Sequence, residues 1–172
     1  MLGSSLKGYN LNNPNFNLNT VSGLSLVAQR IYLYACYLPT AQTITGAKWW
    51  SINTGSYTAS NYNGIGLYSY SGGTLTLVAS STNDGNIWKP AGAPVFASKA
   101  FSSTYSASAG VYFIGLVYSS SAVTTAPQLA LFTNVDYMSS NYDFTNSAKL
   151  SVIVNSQTSL PSSVSLASFN GT

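Results

Sequence analysis

The chain has 172 residues, only 5% of them charged, with no histidine, no glutamate and a net charge of +3. An ordinary globular domain carries about 25% charged residues, so this composition argues against electrostatic steering and against the clustered Lys/Arg surface of a nucleic-acid binder. The 45% hydrophobic and 13% aromatic content is enough apolar surface to offset the ordering entropy of a folded domain, so wholesale disorder is excluded too.

Residues 1–20 are Asn-rich and aperiodic, with turn chemistry at Asn13-Pro14-Asn15. They fit a disordered tail or an extended N-terminal arm. In the second case Leu11, Phe16 and Leu18 are the apolar handles that order against a neighbouring subunit. The segment lacks the apolar core of a signal peptide, and no stretch of the chain approaches the roughly 20 apolar residues of a membrane span. The expectation is synthesis in a host cytoplasm, no membrane partner, and release by lysis.

From residue 21 onward the pattern is β. Ile31–Leu38 reads as a strand closed by Pro39, and Thr43–Ile52 as another, with Gly46 marking a bulge or bend. Residues 54–63 are rich in Gly, Ser, Tyr and Asn and read as a loop. Gly64–Tyr70, the turn Ser71-Gly72-Gly73 and Thr74–Ser80 form a hairpin, because Gly-Gly supplies the positive φ a short turn needs. Asn83-Asp84-Gly85-Asn86 marks a further turn. Val95–Phe101 follows, then Val111–Ser119, which is apolar on both faces and therefore predicted to lie centrally with cover on each side. Gln128–Thr133, Lys149–Asn155 and, after Pro161, Val164–Phe169 complete the series. No window shows a sustained helical period. The prediction is an all-β chain: an antiparallel two-sheet β-sandwich of jelly-roll type over residues 21–172, with about eight strands. An immunoglobulin-like topology fits the same pattern.

Chemistry is conspicuous by its absence. Without His and Glu, no Ser-His-Asp or Cys-His arrangement can be built, and a zinc site would have Cys36 alone to draw on. Cys36 sits in an apolar strand and reads as a small buried hydrophobe. Paired-carboxylate chemistry would need Asp136 and Asp143 together, but both read as Asx-turn residues in a Tyr/Ser/Asn loop. The expectation is no enzyme, no catalytic residue, no metal and no cofactor.

Aromatic residues are the remaining candidates. Tyr57, Tyr62 and Trp88 fall in or beside predicted loops. There they either stack on glycans or partner proteins or close the ends of the core. Trp49 and Trp50 are adjacent in a strand, so they point to opposite faces. One can enter the core, and the other is an assembly contact if a second subunit covers it. That is the sequence reading of why Arg30–Trp50 is apolar on both faces.

Four stretches in order, IYLYACYLPTAQTIT, GIGLYSYSGGTLTLVASS, IWKPAGAPVFASKAFSSTYSASAGVYFIGLVYSS and QTSLPSSVSLASF, resemble a β-sandwich domain of minor structural, head-fibre and tail-fibre proteins of tailed bacteriophages. The matching positions are Leu38-Pro39, Leu67-Tyr68, Trp88, Gly110, Tyr112, Gly115-Leu116 and Leu160-Pro161, within residues 28–169. The resemblance implies a virion component without chemistry, often a homotrimer, that assembles with itself and with capsid or tail proteins. It also implies contact with the host surface, where glycan is a candidate partner.

Overall fold

The computed structural model describes residues 22–131 and 151–166. Among them are twelve strands and no α-helix: β1 (Ser22–Ser25), β2 (Arg30–Leu38), β3 (Gln42–Asn53), β4 (Ser56–Ala59), β5 (Gly64–Ser71), β6 (Thr74–Ser80), β7 (Val95–Ala107), β8 (Gly110–Tyr118), β9 (Ser120–Thr125), β10 (Gln128–Leu131), β11 (Ser151–Asn155) and β12 (Ser163–Ser165). The expected arm over residues 1–20, with Leu11, Phe16 and Leu18, lies outside the described residues, as do Asp136 and Asp143.

The strands form a four-stranded sheet in the order β1-β10-β3-β7, a six-stranded sheet in the order β11-β2-β8-β5-β6-β12, and a ribbon of β4 and β9. Every pairing is antiparallel. The chain is an all-β antiparallel sandwich, as its turn-punctuated strand pattern predicts.

The pleat of β2 and β8 explains the packing. Successive side chains of a strand point to opposite faces. Tyr32, Tyr112, Leu116 and Tyr118 therefore turn to one side of the six-stranded sheet, where Ile65 and Leu67 join them against Phe101, Ala107 and Leu129 of the four-stranded sheet. This is the core between the sheets. Ile31, Leu33, Phe113 and Val117 turn to the other side and form a second core with Tyr68, Leu75, Val152 and Val164. Each such buried side chain contributes about 1.5–3 kcal/mol relative to its exposed state.

The second core is closed by the chain itself. After β11, residues 156–162 run over the outer face of the six-stranded sheet as a strap. Backbone bonds hold it at Gln157 N–H to Gln29 C=O, Tyr62 N–H to Thr158 C=O and Leu77 N–H to Ser162 C=O, each 2.9–3.2 Å. Leu160 packs on this cluster. The expectation that a second subunit covers the outer face of Arg30–Trp50 is therefore corrected for its β2 half: β11, β12 and the strap supply that cover.

Two glycines are fixed by close approach. A Cβ on Gly115 would stand 2.8 Å from the Tyr68 ring and 3.0 Å from Ile31. At Gly46 it would meet the Lys99 carbonyl and lie 2.8 Å from Ala100 Cα, so the β3 and β7 backbones could not come together. The bulge expected at Gly46 is present: Ile44 pairs with Tyr105 and Gly46 with Ala100. Residues 101–104 thus face Thr45 alone, and β7 runs on to Ala107, beyond the expected end at Phe101. The expected loop at 54–63 holds β4, which pairs with the unanticipated β9.

Candidate interaction face

Trp49 and Trp50 do split between faces. Trp49 turns inward, its ring 5.2 Å from that of Trp88. Its indole N–H is buried and has no hydrogen-bond partner among the described residues. Trp50 turns outward and stands directly opposite Phe96 of β7. The two rings meet edge to face, with centroids 4.6 Å apart and planes inclined at 71°. Such cross-strand aromatic pairs contribute about 0.5–1.5 kcal/mol beyond the area they bury. Phe96 nevertheless stays 61% exposed.

Register places the rest of this outer face. Lys48 opposes Ser98, and Gly46 opposes Ala100. Gly23 opposes Ala130 and Ser25 opposes Gln128 on the far side of β3. A Cβ on Gly23 would lie 3.4 Å from both Ile52 Cδ1 and Gln128 Oε1, which puts all three on one face. Gln128 Nε2 donates to Ser25 Oγ at 3.1 Å. The result is an aromatic pair and one isoleucine raised above small or neutral polar neighbours, with Lys48 as the single charge. Lys99 does not contribute. Its register partner is the inward-facing Ala47, and its Nζ meets Asp84 Oδ2 at 2.7 Å.

The other aromatic candidates are built into the fold. Trp88 is 1% exposed, and its indole N–H donates to the Val117 carbonyl at 3.0 Å. Tyr57 is 8% exposed and lies in β4, its ring edge-on to Tyr118 at 4.9 Å. Its hydroxyl donates to Gly85 C=O at 2.9 Å, and Lys89 Nζ sits 4.3 Å from the ring centre. Tyr62 is half-buried, with its hydroxyl donating to Ser81 C=O at 2.6 Å. Burial raises the pKa of both tyrosines, so they stay neutral hydrogen-bond donors. Burial corrects the reading of Trp88 and Tyr57 as glycan platforms, because neither offers a ring face. They close the end of the sandwich, the alternative that their loop positions also allowed.

The polar cluster at that end is likewise structural. Asn63 is fully buried. Its Nδ2 donates to Ser119 C=O at 2.9 Å and Ser60 C=O at 3.3 Å, and its Oδ1 accepts from Ser119 N–H at 2.9 Å. The Asn63 N–H donates to Asn83 Oδ1 at 2.9 Å. Every side-chain polar atom of Asn63 is used within the chain, as burial demands.

Among the described residues no group of three His, Cys, Asp or Glu side chains could hold a metal ion, and no helix is long and apolar enough to cross a membrane. Cys36 is half-buried, and desolvation pushes its thiol up to about 11. Phe96 escaped sequence reasoning. Val95–Phe101 alternates, but nothing local says which phase faces out. The β3–β7 register that sets Phe96 beside Trp50 is a long-range fact. No family model, no curated protein and no solved structure matches the chain.

Proposed function

We propose that this chain is a non-enzymatic structural protein of a bacteriophage virion, a capsid decoration, head-fibre or tail-fibre component. It works by assembling with itself and with other virion proteins, and it meets the host surface. The observation that carries the reading is the strand order. Without β4, β9, β11 and β12, eight strands remain. Numbered in chain order, they pair as first-eighth-third-sixth in one sheet and second-seventh-fourth-fifth in the other. That order is the double Greek key of a jelly roll, an architecture used by viral capsid proteins and lectins.

Fold alone does not make function, so the surface and the sequence series supply the rest of the support. A surface of Ser, Thr, Asn and Tyr with 5% charge in the chain suits repeated neutral contacts. The positions behind the phage resemblance fall where they set the fold. Leu38 ends β2, Leu67 and Tyr68 are buried in β5, Trp88 is in the core, Gly115 lies under Tyr68, and Leu160-Pro161 forms the strap.

The test is the mass of the native protein by size-exclusion chromatography with light scattering, together with its presence in purified particles. A mass near three times the 18.1 kDa of the chain, and recovery with particles, supports the reading. A monomer absent from particles overturns it.

A further inference from the structure

We propose that the outer face of the four-stranded sheet binds a neutral saccharide, with Phe96 as the stacking ring and Trp50 as its buttress. This rests on the host-attachment part of the reading above and names its ligand class.

Four features of the face point to that occupant. First, Phe96 is 61% exposed although it is paired with Trp50 at 4.6 Å. Core packing does not account for a large ring left in water, whereas a ligand that stacks on it does. The C–H groups on the less polar face of a sugar carry partial positive charge and meet the negative face of an aromatic ring.

Second, the neighbours are small. Gly23, Ser25, Ser98, Ala100 and Ala130 leave the two rings and Ile52 standing proud of the sheet. Third, the rim carries the hydrogen-bonding groups that sugar hydroxyls use: the Gln128 amide, already bonded to Ser25, and the Ser98 hydroxyl. Lys48 is the only charge from these strands on the face, so an anionic ligand would find a single cation and a neutral ligand loses nothing.

Fourth, size separates a small ligand from a protein. Four strands about 4.8 Å apart, with three outward residues along β3, make a footprint of roughly 300 Å². A stable protein interface needs about 800 Å² from each partner. The face is too small to hold a second copy by itself, and it suits a saccharide of two or three rings.

The experiment uses the indole signals of the full chain. Its three tryptophans give separate ¹H–¹⁵N indole resonances, and only Trp50 faces the site. The probes are maltotriose, cellotriose and triacetylchitotriose, with trigalacturonic acid as an anionic control. The expected result is a shift of the Trp50 signal with at least one neutral probe, while Trp49 and Trp88 stay still. Affinity should be in the millimolar range, about tenfold weaker in Phe96→Ala and retained in Phe96→Tyr. Because Phe96 is exposed, Phe96→Ala keeps the wild-type spectrum elsewhere, which checks the fold.

Three results overturn the proposal. The first is no Trp50 shift with any neutral probe, including the case where trigalacturonic acid alone acts through Lys48. The second is a shift that survives Phe96→Ala. The third is a Trp50 signal that moves on dilution of the protein alone, the mark of a second copy on this face. Light scattering on the same samples keeps the two readings apart. A chain that assembles but moves no Trp50 signal loses only the site, and a monomer that binds saccharide loses only the assembly.

Discussion

The Tyr68 hydroxyl donates to the Pro161 carbonyl at 3.0 Å, joining residues 93 positions apart. Tyr68 is fully buried in β5, and Pro161 lies in the strap over the outer core. The bond fixes where the strap crosses the six-stranded sheet, directly above the strand pair β5–β8. Tyr68→Phe keeps the ring and removes the donor, leaving a shielded carbonyl unsatisfied. The expected loss is about 1–2 kcal/mol, read as a lower urea midpoint at unchanged m-value. An unchanged midpoint would mean that the backbone bonds at Gln157, Tyr62 and Leu77 suffice to seat the strap.

Trp88 carries a larger share of stability. Its ring lies in the core beside Trp49, and its N–H satisfies the Val117 carbonyl in the central strand β8. Trp88→Ala leaves a cavity and an orphaned acceptor. It should cost about 3–5 kcal/mol, a large part of the roughly 5–15 kcal/mol that stabilises a domain. Thermal unfolding measures this. A Trp88→Ala protein that melts like the wild type but loses saccharide binding would return Trp88 to the role its predicted loop position suggested.

Legibility followed the range of the forces involved. The hairpin Gly64–Ser80 could be read because its alternation and its Gly72-Gly73 turn are local, and both glycines hold positive φ. The central, doubly covered position of Val111–Tyr118 was legible from its apolarity on both faces. What covers it was not: β11, β12 and the strap arrive from positions 151–165, and no local pattern encodes that closure. The strands β4 and β9 were missed because Ser56–Ala59 and Ser120–Thr125 are short and Ser/Thr-rich, and their strand character comes from pairing with each other. The same limit explains the site. Trp50 could be read as an outward ring from its adjacency to Trp49, but its partner Phe96 depends on register across 46 positions of chain, from 50 to 96.

Acid should weaken the turn between β6 and β7. The Asp84 carboxylate accepts from Lys99 Nζ at 2.7 Å and from the Asn86 N–H at 2.9 Å. These bonds, the lysine first, hold its pKa below the ordinary aspartate value. A depressed folded-state pKa stabilises the fold above the unfolded value of about 4, and that stability is lost as pH falls through the folded pKa. The two side chains are 26% and 32% exposed, so screening limits the pair to about 1 kcal/mol or less. Asp84→Asn keeps an acceptor for Asn86 and removes the titration. Its urea midpoint should therefore fall less than that of the wild type between about pH 6 and pH 2. Identical acid limbs would assign the pH dependence elsewhere.

Cys36 gives a chemical readout of the inner core. It lies on β2, where it packs against the cluster around Tyr32 and Tyr112. Burial raises its pKa from 9.0 to about 11. The thiolate is the reactive form, and two pKa units mean about a hundredfold less of it at neutral pH. The native protein should therefore react with a disulfide reagent at least about a hundredfold more slowly than the urea-unfolded chain, with steric shielding adding to the difference. The Trp88→Ala cavity borders the same core, so the rate should rise in that variant in step with its loss of stability, because opening of the sandwich limits access. A native rate equal to that of the unfolded chain would place Cys36 in solvent and contradict the packing of β2 against the four-stranded sheet.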